Sequence, residues 1–339
     1  MPLNVLVTAA SRRVPLVRAF RHALDSLGVR GAVIVTDVNA LSPAVHFCDR
    51  AYRVPLSNDP RYLATIADLC DAEQIGLVVP TIDDELPMFG KAAASFARRG
   101  VRVAVSSEET TLICNDKYTT CTYLRGRGVP AAASYLPIDL PADPPIPAFV
   151  KPRRGRGSVG AFPVRTAKEL AFFASYVEDA VVQEFLDRPE YTIDVLCDFD
   201  GRPLSIVPRE RVVIRAGVID RGRTVANKAL QDVALACTDA LRFAGPVNIQ
   251  CRMLNGRPVV FEINPRFSGG IPLTIAAGAD FPRMLLKLAL GRKVAPVIGQ
   301  FQPDLWITNY ESSLFLTPER MDRLIPAGHA ARRAVGAVA

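Results

Sequence analysis

The segment VVFEINPRFSGG, residues 259 to 270, begins as an apolar strand and then carries a polar side chain at every second position. Alternate residues of a strand point to the same face. Glu262, Asn264 and Arg266 are therefore predicted to project together, with Ser268 following just before two glycines. A carboxylate, an amide and a guanidinium in this arrangement indicate a face that holds a charged ligand.

The preceding strand is predicted to pair with this one through a hairpin around Asn255-Gly256. A two-residue turn would place Gln250 opposite Phe261, whereas a three-residue loop over 255–257 places Gln250 opposite Glu262. We prefer the longer loop, because it puts the polar residues on one face and the apolar residues on the other. The residues predicted to be buried together are Ile249, Phe261 and Ile263.

In this register Gln250, Glu262 and Asn264 offer hard oxygen ligands at one place. Mg²⁺ is commonly held by one or two carboxylates, and phosphate and water complete its octahedron. The alternative is a solvent-exposed polar face held by hydrogen bonds, but it would leave the following arginine and glycine pair without a reason. The hairpin therefore predicts a metal–phosphate site.

The first hundred residues alternate short apolar runs with helical patterns. Such runs are typical of parallel strands that are covered on both faces. We predict a doubly wound parallel α/β domain over residues 1–106. The first run is followed by TAASRRV, which lacks the glycines of a dinucleotide-binding turn, so NAD binding is not favoured. The predicted strands lie in LNVLVTAA, GAVIVTDV, AYRVP, GLVVPTI and VRVAVS.

Composition restricts the class of protein. The net charge of +7 fits acidic small molecules or nucleic acid, but the arginines are scattered and form no basic block. The seven cysteines include no C-x-x-C pair, so most are predicted to be reduced core residues. The N-terminus lacks the basic region of a signal peptide, and no apolar run is long enough to span a membrane. We therefore expect a cytoplasmic protein.

The order of NDK, FVKP with the glycine-rich RRGRGSVG, VVQEFL, a glutamine at 250 and FEINPRFSGG resembles the ATP-grasp superfamily. The nearest resemblance is to the carbamoyl phosphate synthetase large subunit and to small amino-acid ligases such as the pyrrolysine-pathway ligase. It spans roughly residues 1–300. The implied fold class is α/β (α+β ATP-grasp). Its parts are the N-terminal Rossmann-like domain over 1–106, a lid subdomain over 107–183, a larger antiparallel-sheet subdomain over 184–300, and a C-terminal extension over 301–339 that packs on the ATP-grasp domain.

The resemblance implies a nucleotide site. Lys117 and Lys151 correspond to two lysines that reach the phosphates, and residues 153–160 to a flap whose backbone N–H groups cover the β- and γ-phosphates. Glu190 corresponds to the acid that holds the ribose hydroxyls, although an exposed edge carboxylate is an equal alternative. The flap includes Arg156, Gly157 and Ser158. The adenine hinge corresponds to Glu184, Phe185 and Leu186.

The resemblance also implies two Mg²⁺ ions, for which Mn²⁺ could substitute. Their ligands would be Gln250, Glu262 and Asn264, with Glu262 bridging the ions. Arg266 corresponds to the arginine that steadies the transferred phosphoryl group, and Lys151 assists it.

The activity implied is that of an ATP-dependent carboxylate–amine ligase that makes an amide through an acyl phosphate. Its partners would be ATP, a small carboxylate and an amine, with a homodimer as a further expectation and neither nucleic acid nor a membrane as a partner. One alternative is an enzyme that phosphorylates bicarbonate or carbamate. Another is a nucleic-acid-binding module, although no aromatic-interleaved basic stripe supports it.

The substrate residues are sought in loops that follow the N-terminal strands, because ligands bind at the carboxyl ends of such strands. Arg12 could pair with a substrate carboxylate and Asp83 or Asp84 with an ammonium group, or these residues could only cap helices. The stretch from Arg209 to Arg223 is predicted as a loop that reaches an anionic substrate. The further substrate candidates are Arg211 and Ser268.

Overall fold

The computed structural model describes residues 2–155, 157, 159–187, 189–215 and 217–327. Its N-terminal part alternates strands and helices as predicted. These are β1 (Asn4–Val7), α1 (Val14–Ser26), β2 (Val33–Asp37), β3 (Arg50–Arg53), α2 (Tyr62–Ala72), β4 (Ile75–Val79), α3 (Leu86–Arg98) and β5 (Arg102–Val103).

These strands form a parallel sheet in the order β3-β2-β1-β4-β5, which confirms the predicted doubly wound domain. Val5 and Val7 pack into one apolar core and Leu6 into another, because helices cover both faces of the sheet. The strand order reverses direction at β1 and β4. Loops that follow these two strands therefore flank the crevice where such sheets bind ligands.

The next part of the chain contains a small antiparallel sheet. Its elements are α4 (Glu108–Asn115), α5 (Lys117–Arg125), β6 (Ser134–Tyr135), β7 (Ala148–Pro152), β8 (Phe162–Val164), α6 (Ala167–Tyr176) and β9 (Ala180–Glu184). The sheet order is β6-β9-β7-β8, with α6 packed on it. Helices α4 and α5, which were predicted as part of the lid, pack on the larger sheet. Cys121 and Leu124 of α5 share a core with Ile249 and Val260 of that sheet.

That larger sheet is antiparallel. Its region contains β10 (Glu190–Cys197), β11 (Pro203–Arg215), β12 (Val218–Thr224), α7 (Lys228–Leu241), β13 (Gly245–Leu254), β14 (Arg257–Asn264), α8 (Ile271–Ala276), α9 (Phe281–Ala289) and β15 (Trp306–Thr308). The order is β14-β13-β10-β11-β12-β15. Residues 209–223, predicted as a loop, are the hairpin of β11 and β12. One face of the sheet packs on α5 and α7, which leaves the other face for polar side chains.

The C-terminal extension was predicted to pack on the ATP-grasp domain, and its described part contacts both the large sheet and the N-terminal sheet. Strand β15 extends the large sheet beside β12. After α10 (Pro318–Met321), strand β16 (Leu324–Pro326) pairs in parallel with β3 of the N-terminal sheet. Burial of Leu324 and pairing of the free edge of β3 favour this position.

An apolar interface fixes the N-terminal sheet against the large sheet. The ring of Phe20 on α1 meets that of Phe267 edge to face, with centroids 5.9 Å apart. Phe281 and Leu285 of α9 are fully buried in the same core. This interface thus holds the N-terminal sheet and the large sheet in one relative position.

Two sequence-based expectations can be compared directly with the structure. All seven cysteines are buried and unbridged, which confirms that they are core residues. Within the described ranges, no helix has the length and apolarity needed to cross a bilayer.

Candidate active site

A cleft of about 1510 Å³ lies between the N-terminal sheet, the small antiparallel sheet and the polar face of the large sheet. Of the predicted site residues, the cleft is lined by Arg12, Asp83, Asp84, Lys117, Lys151, Gly157, Glu190, Arg211, Gln250, Glu262, Asn264, Arg266 and Ser268. Arg156 and Ser158 fall outside the described residues. The fold therefore gathers residues that are far apart in the sequence into one space.

The predicted pairing of Gln250 with Glu262 is confirmed, but its structural cause differs from the prediction. Leu254 pairs with Arg257, so the turn is the two-residue Asn255-Gly256, with φ of 50° and 76°. This geometry suits a tight hairpin turn, for which Asn-Gly is the favoured pair. The predicted three-residue loop is wrong.

A β-bulge at Phe261 restores the pairing. Cys251 pairs with Val260 and Gln250 with Glu262, which leaves Phe261 as the extra residue. A bulge interrupts strand alternation and re-aims side chains. Phe261, predicted to be buried, instead lines the cleft beside Glu262, with its ring centroid 5.1 Å from Lys151 Nζ.

Three oxygen-bearing side chains meet on this polar face. Asn264 Nδ2 donates to Glu262 Oε1 at 3.0 Å, and Arg211 Nη1 donates to Gln250 Oε1 at 3.3 Å. Asn264 Oδ1 accepts from Arg266 Nη2 at 3.2 Å. One carboxylate and two amide oxygens fit the hard donors that Mg²⁺ prefers. Three protein oxygens leave positions of the Mg²⁺ octahedron that phosphate and water would fill. Among the described residues, no group of three or more His, Cys, Asp or Glu could hold a metal ion.

Two lysines stand opposite these oxygens. Lys151, on β7, is nearly buried, and among the described residues no hydrogen bond or ion pair reaches its ammonium group. Burial lowers the pKa of Lys151 to about 8, with Lys117 adding to the effect and Glu262 opposing it. Lys117 Nζ donates to the carbonyl of Gly155 at 2.9 Å. A desolvated cation without an anionic partner is suited to bind a phosphate.

The start of the glycine-rich segment is anchored next to Lys117. Asp116 caps α5 and accepts from Arg153 Nη2 at 2.5 Å and from Arg154 Nη2 at 3.2 Å. Farther along, Gly157 lies against Gly217 of the β11–β12 hairpin, where a Cβ on Gly217 would come within 2.7 Å of the Gly157 Cα. The glycine-rich segment thus contacts the β11–β12 hairpin at Gly157.

Glu190, the predicted ribose acid, is held between two arginines. Its Oε1 accepts from Arg211 Nη1 at 2.5 Å and its Oε2 from Arg252 Nη2 at 2.5 Å. Burial lowers the pKa of Arg211, and Glu190 opposes the shift. Strand alternation in EYTIDV could have indicated that Glu190 faces the cleft, but its arginine partners come from two other strands.

The predicted adenine hinge lies outside the cleft lining. Glu184 N donates to the carbonyl of Ala133 at 2.9 Å, and Glu184 Oε1 accepts from Ala133 N at 2.8 Å. The carbonyl of Leu186 accepts from Arg252 Nη1 at 2.5 Å. Phe185 N donates to the carbonyl of Pro147. Arg252 also donates to Glu190 and lines the cleft, so it links Leu186 to this predicted site residue.

Arg266 forms a bidentate pair with Asp83 of the N-terminal domain. Nε and Nη2 donate to the two carboxylate oxygens at 2.9 and 2.7 Å. Asp83 was predicted to bind a substrate ammonium group, whereas here both of its oxygens face Arg266. The neighbouring candidates Arg12 and Asp84 are exposed at the same end of the cleft.

A buried ion pair missed by the sequence analysis supports the floor of the cleft. Arg209 is 1% exposed and donates to Asp194 at 2.7 and 3.1 Å. It also donates to Ser268 Oγ at 3.0 Å. A Cβ on Gly270 would lie 2.3 Å from its Nη1, which accounts for a glycine at that position. Ser268, a predicted substrate contact, is thus a partner of Arg209.

Arg13 is a second residue that was missed. It crosses from the N-terminal domain and donates to the carbonyls of Phe267 and Thr81 at 3.2 and 3.1 Å. Burial lowers the pKa of Arg13 to about 10, and the charge of Arg266 adds to the effect.

Two family models match the chain. The model for the ATP-grasp in the biosynthetic pathway with Ter operon matches residues 176–312. The model for the PylC-like N-terminal domain matches residues 5–104. The second match covers the parallel sheet, and the first covers the polar face of the large sheet.

Individual proteins agree with these matches. The carbamoyl phosphate synthase large chain of Thermoplasma acidophilum is 24% identical over 270 residues, which cover 72% of this chain and 25% of that protein. This chain therefore spans about a quarter of that relative.

Solved structures show the same fold. The L-amino acid ligase from Bacillus licheniformis has a TM-score of 0.66 at 22% identity and covers 89% of this chain and 77% of its own. The biotin carboxylase–β,γ-ATP complex from Campylobacter jejuni has a TM-score of 0.69 at 16% identity and covers 89% of this chain and 74% of its own. The ATP-grasp model thus matches residues 176–312, and the solved structures share the fold of this chain. With the sequence match to the carbamoyl phosphate synthase large chain, they agree with the resemblance of this chain to the ATP-grasp superfamily.

Proposed function

We propose that the protein is an ATP-dependent carboxylate–amine ligase that joins small amino-acid-like substrates through an amide bond. The observation that carries this proposal is the convergence of Glu262, Asn264 and Gln250 with Arg266 and Lys151 on one cleft. Oxygen ligands for a cation and positively charged side chains for phosphates meet there. The likeness to an L-amino acid ligase structure agrees in fold.

In the first step, a substrate carboxylate oxygen would attack the γ-phosphorus, and the bond to the bridging oxygen would break to release ADP. Lys117, Lys151 and Arg266 would bind and orient the phosphates and balance their charge. Glu262, Asn264 and Gln250 would hold Mg²⁺, which supplies further charge neutralisation when bound.

In the second step, the amine nitrogen would attack the acyl carbon, and phosphate would leave with the electrons of the C–O bond. The acyl phosphate must be kept from water until then, so the segment from Arg153 to Gly160 is assigned the role of a cover. This route needs no nucleophilic serine or cysteine, and the buried cysteines agree with that.

The proposal is tested by ADP release from MgATP in the presence of paired amino acids, followed by mass spectrometry of the product. Glu262→Gln is expected to abolish ADP release while the protein stays folded, because the one carboxylate among the three oxygen ligands is lost. Glu109→Gln, at an exposed position on α4, is the matched control. ADP release by Glu262→Gln at the wild-type rate would contradict the assigned site.

A second candidate is phosphorylation of bicarbonate or carbamate. It is favoured by the sequence match to a carbamoyl phosphate synthase large chain. Bicarbonate-dependent ADP release without any amino acid would select this reaction, whereas dependence on an amino acid would select the ligase.

A further inference from the structure

The contact between Asp83 and Arg266 joins residues that are 183 positions apart in the sequence and belong to different halves of the cleft. Both side chains are largely shielded, with 14% and 13% of their surfaces exposed. We infer that Asp83 is a positioning residue: it orients Arg266 toward the phosphoryl group, so that ATP turnover depends on the loop of residues 81–85. This inference rests on the proposed function. It adds that the N-terminal domain, through Asp83, affects ATP turnover at the same site.

The hydrogen bonds of Arg266 show why Asp83 has this effect. Nη1 donates to the carbonyl of Phe267 at 3.1 Å, and Nη2 also donates to Asn264 Oδ1 at 3.2 Å. These two acceptors lie within two residues of Arg266 and leave Nε without a partner other than Asp83. A bidentate carboxylate fixes the plane of a guanidinium, because two parallel bonds must break before it can rotate.

The loop that carries Asp83 is itself braced. Glu85 is fully buried, and its Oε1 accepts from Thr81 N at 2.8 Å and from Thr8 Oγ1 at 2.8 Å. Its Oε2 accepts from Tyr62 OH at 2.6 Å. This network connects the loops after β1 and β4, where the strand order reverses and α/β sheets bind ligands. A ligand that shifts the loop would therefore also shift Arg266.

A double-mutant cycle distinguishes positioning from direct contact with a substrate. Asp83→Asn, Arg266→Gln and the double variant are compared by ADP release from MgATP with the amino-acid pair that gives the highest rate. In the wild-type background, Asp83→Asn is expected to lower kcat about 100-fold, since small misplacements of a reacting group have effects of this size. In the Arg266→Gln background the same change is expected to alter kcat less than about 2-fold. The KM for ATP and the affinity for MgADP should not change.

Asp59→Asn is the matched control. It removes a bidentate pair of the same geometry, with Arg61 Nε and Nη2 donating to Asp59 at 3.0 and 2.7 Å, at a surface position outside the cleft. A readout that needs no turnover is the hydrogen-exchange rate of the Arg266 Nε–H, followed by NMR. Asp83→Asn is expected to accelerate this exchange, and Asp59→Asn is expected to leave it unchanged.

Two results would overturn the inference. One is an equal loss of kcat on Asp83→Asn in the wild-type and Arg266→Gln backgrounds, which would indicate that Asp83 acts without Arg266. The other is an unchanged exchange rate of the Arg266 Nε–H in Asp83→Asn. Absence of ADP release by the wild-type protein with every acid and amine would count instead against the proposed function. The exchange measurement would then still decide whether Asp83 holds Arg266.

Discussion

Lys151→Met is expected to make the protein more stable while it removes ATP binding. Lys151 is 7% exposed, and burial lowers its pKa from 10.5 to about 8. At pH 7 the folded protein therefore keeps a charged group that its surroundings disfavour. The shift corresponds to about 3 kcal/mol, since each unit of pKa is about 1.4 kcal/mol. Methionine has a similar length and no charge, so most of this free energy should be recovered.

The lowered pKa of Lys151 determines how the stability difference between Lys151→Met and the wild type changes with pH. Between pH 8 and 10.5 the unfolded lysine is protonated and the folded one is not, so the unfolded state binds more protons and wild-type stability rises with pH. The advantage of Lys151→Met should therefore be full below about pH 8 and disappear as the pH approaches 10.5. The corresponding rise in melting temperature at pH 7 is roughly 5–10 °C.

The assay is thermal unfolding of the wild type and Lys151→Met at pH 7 and pH 10, each with and without MgATP. Lys168→Met, at an exposed position of α6 on the same small sheet, is the control and should change little. MgATP should raise the melting temperature of the wild type and of the control but not that of Lys151→Met. A Lys151→Met protein that is less stable than the wild type at pH 7, or whose advantage persists at pH 10, would refute the reasoning.

Three further changes test the neighbouring contacts. Arg211→Gln removes the cation that donates to Gln250 Oε1 and so frees this oxygen for Mg²⁺. The affinity for Mg²⁺ in the presence of ADP, measured by titration calorimetry, should increase several-fold. An unchanged or weaker affinity would contradict the assignment of Gln250 as a ligand. Asp194→Asn leaves the guanidinium of Arg209 buried without its counter-ion and should reduce stability by about 3–5 kcal/mol, measured as a lower denaturant midpoint; a loss below about 1 kcal/mol would be inconsistent with the buried pair. Gly270→Ala places a methyl group 2.3 Å from Arg209 Nη1 and should reduce stability by about 1–3 kcal/mol, so a neutral effect would show that the guanidinium can move aside.

Much of the fold follows from local patterns in the sequence. Continuous apolar runs in the N-terminal part predicted a parallel sheet, because both faces of such a sheet are covered by helices. Polar alternation after Phe261 predicted the shared face of Glu262 and Asn264, since the side chains of a strand alternate regardless of what surrounds it. The order of short motifs was sufficient for the ATP-grasp resemblance, which the family models confirm.

The hairpin register is a feature that local sequence patterns do not fully determine. The correct partner of Gln250 was predicted from the wrong turn, because a bulge at Phe261 has the same effect on register as an extra loop residue. The Asn255-Gly256 pair favours the two-residue turn, but the sequence does not indicate the bulge that restores the register. Packing of both strands against their neighbours selects the bulge, and only coordinates reveal that Phe261 faces the cleft.

By itself, the sequence determined that Glu262 and Asn264 share one face of β14, because strand periodicity is a local property of the backbone. The tertiary structure alone decided the partners of these residues. Asp83 meets Arg266 and Arg209 meets Asp194 because separate strands and loops end at the same place once the sheets have packed. Such ion pairs depend on contacts between distant parts of the chain, and no spacing along the sequence specifies them. In the same way, the position of β16 beside β3 results from an unpaired sheet edge that exists only in the folded protein.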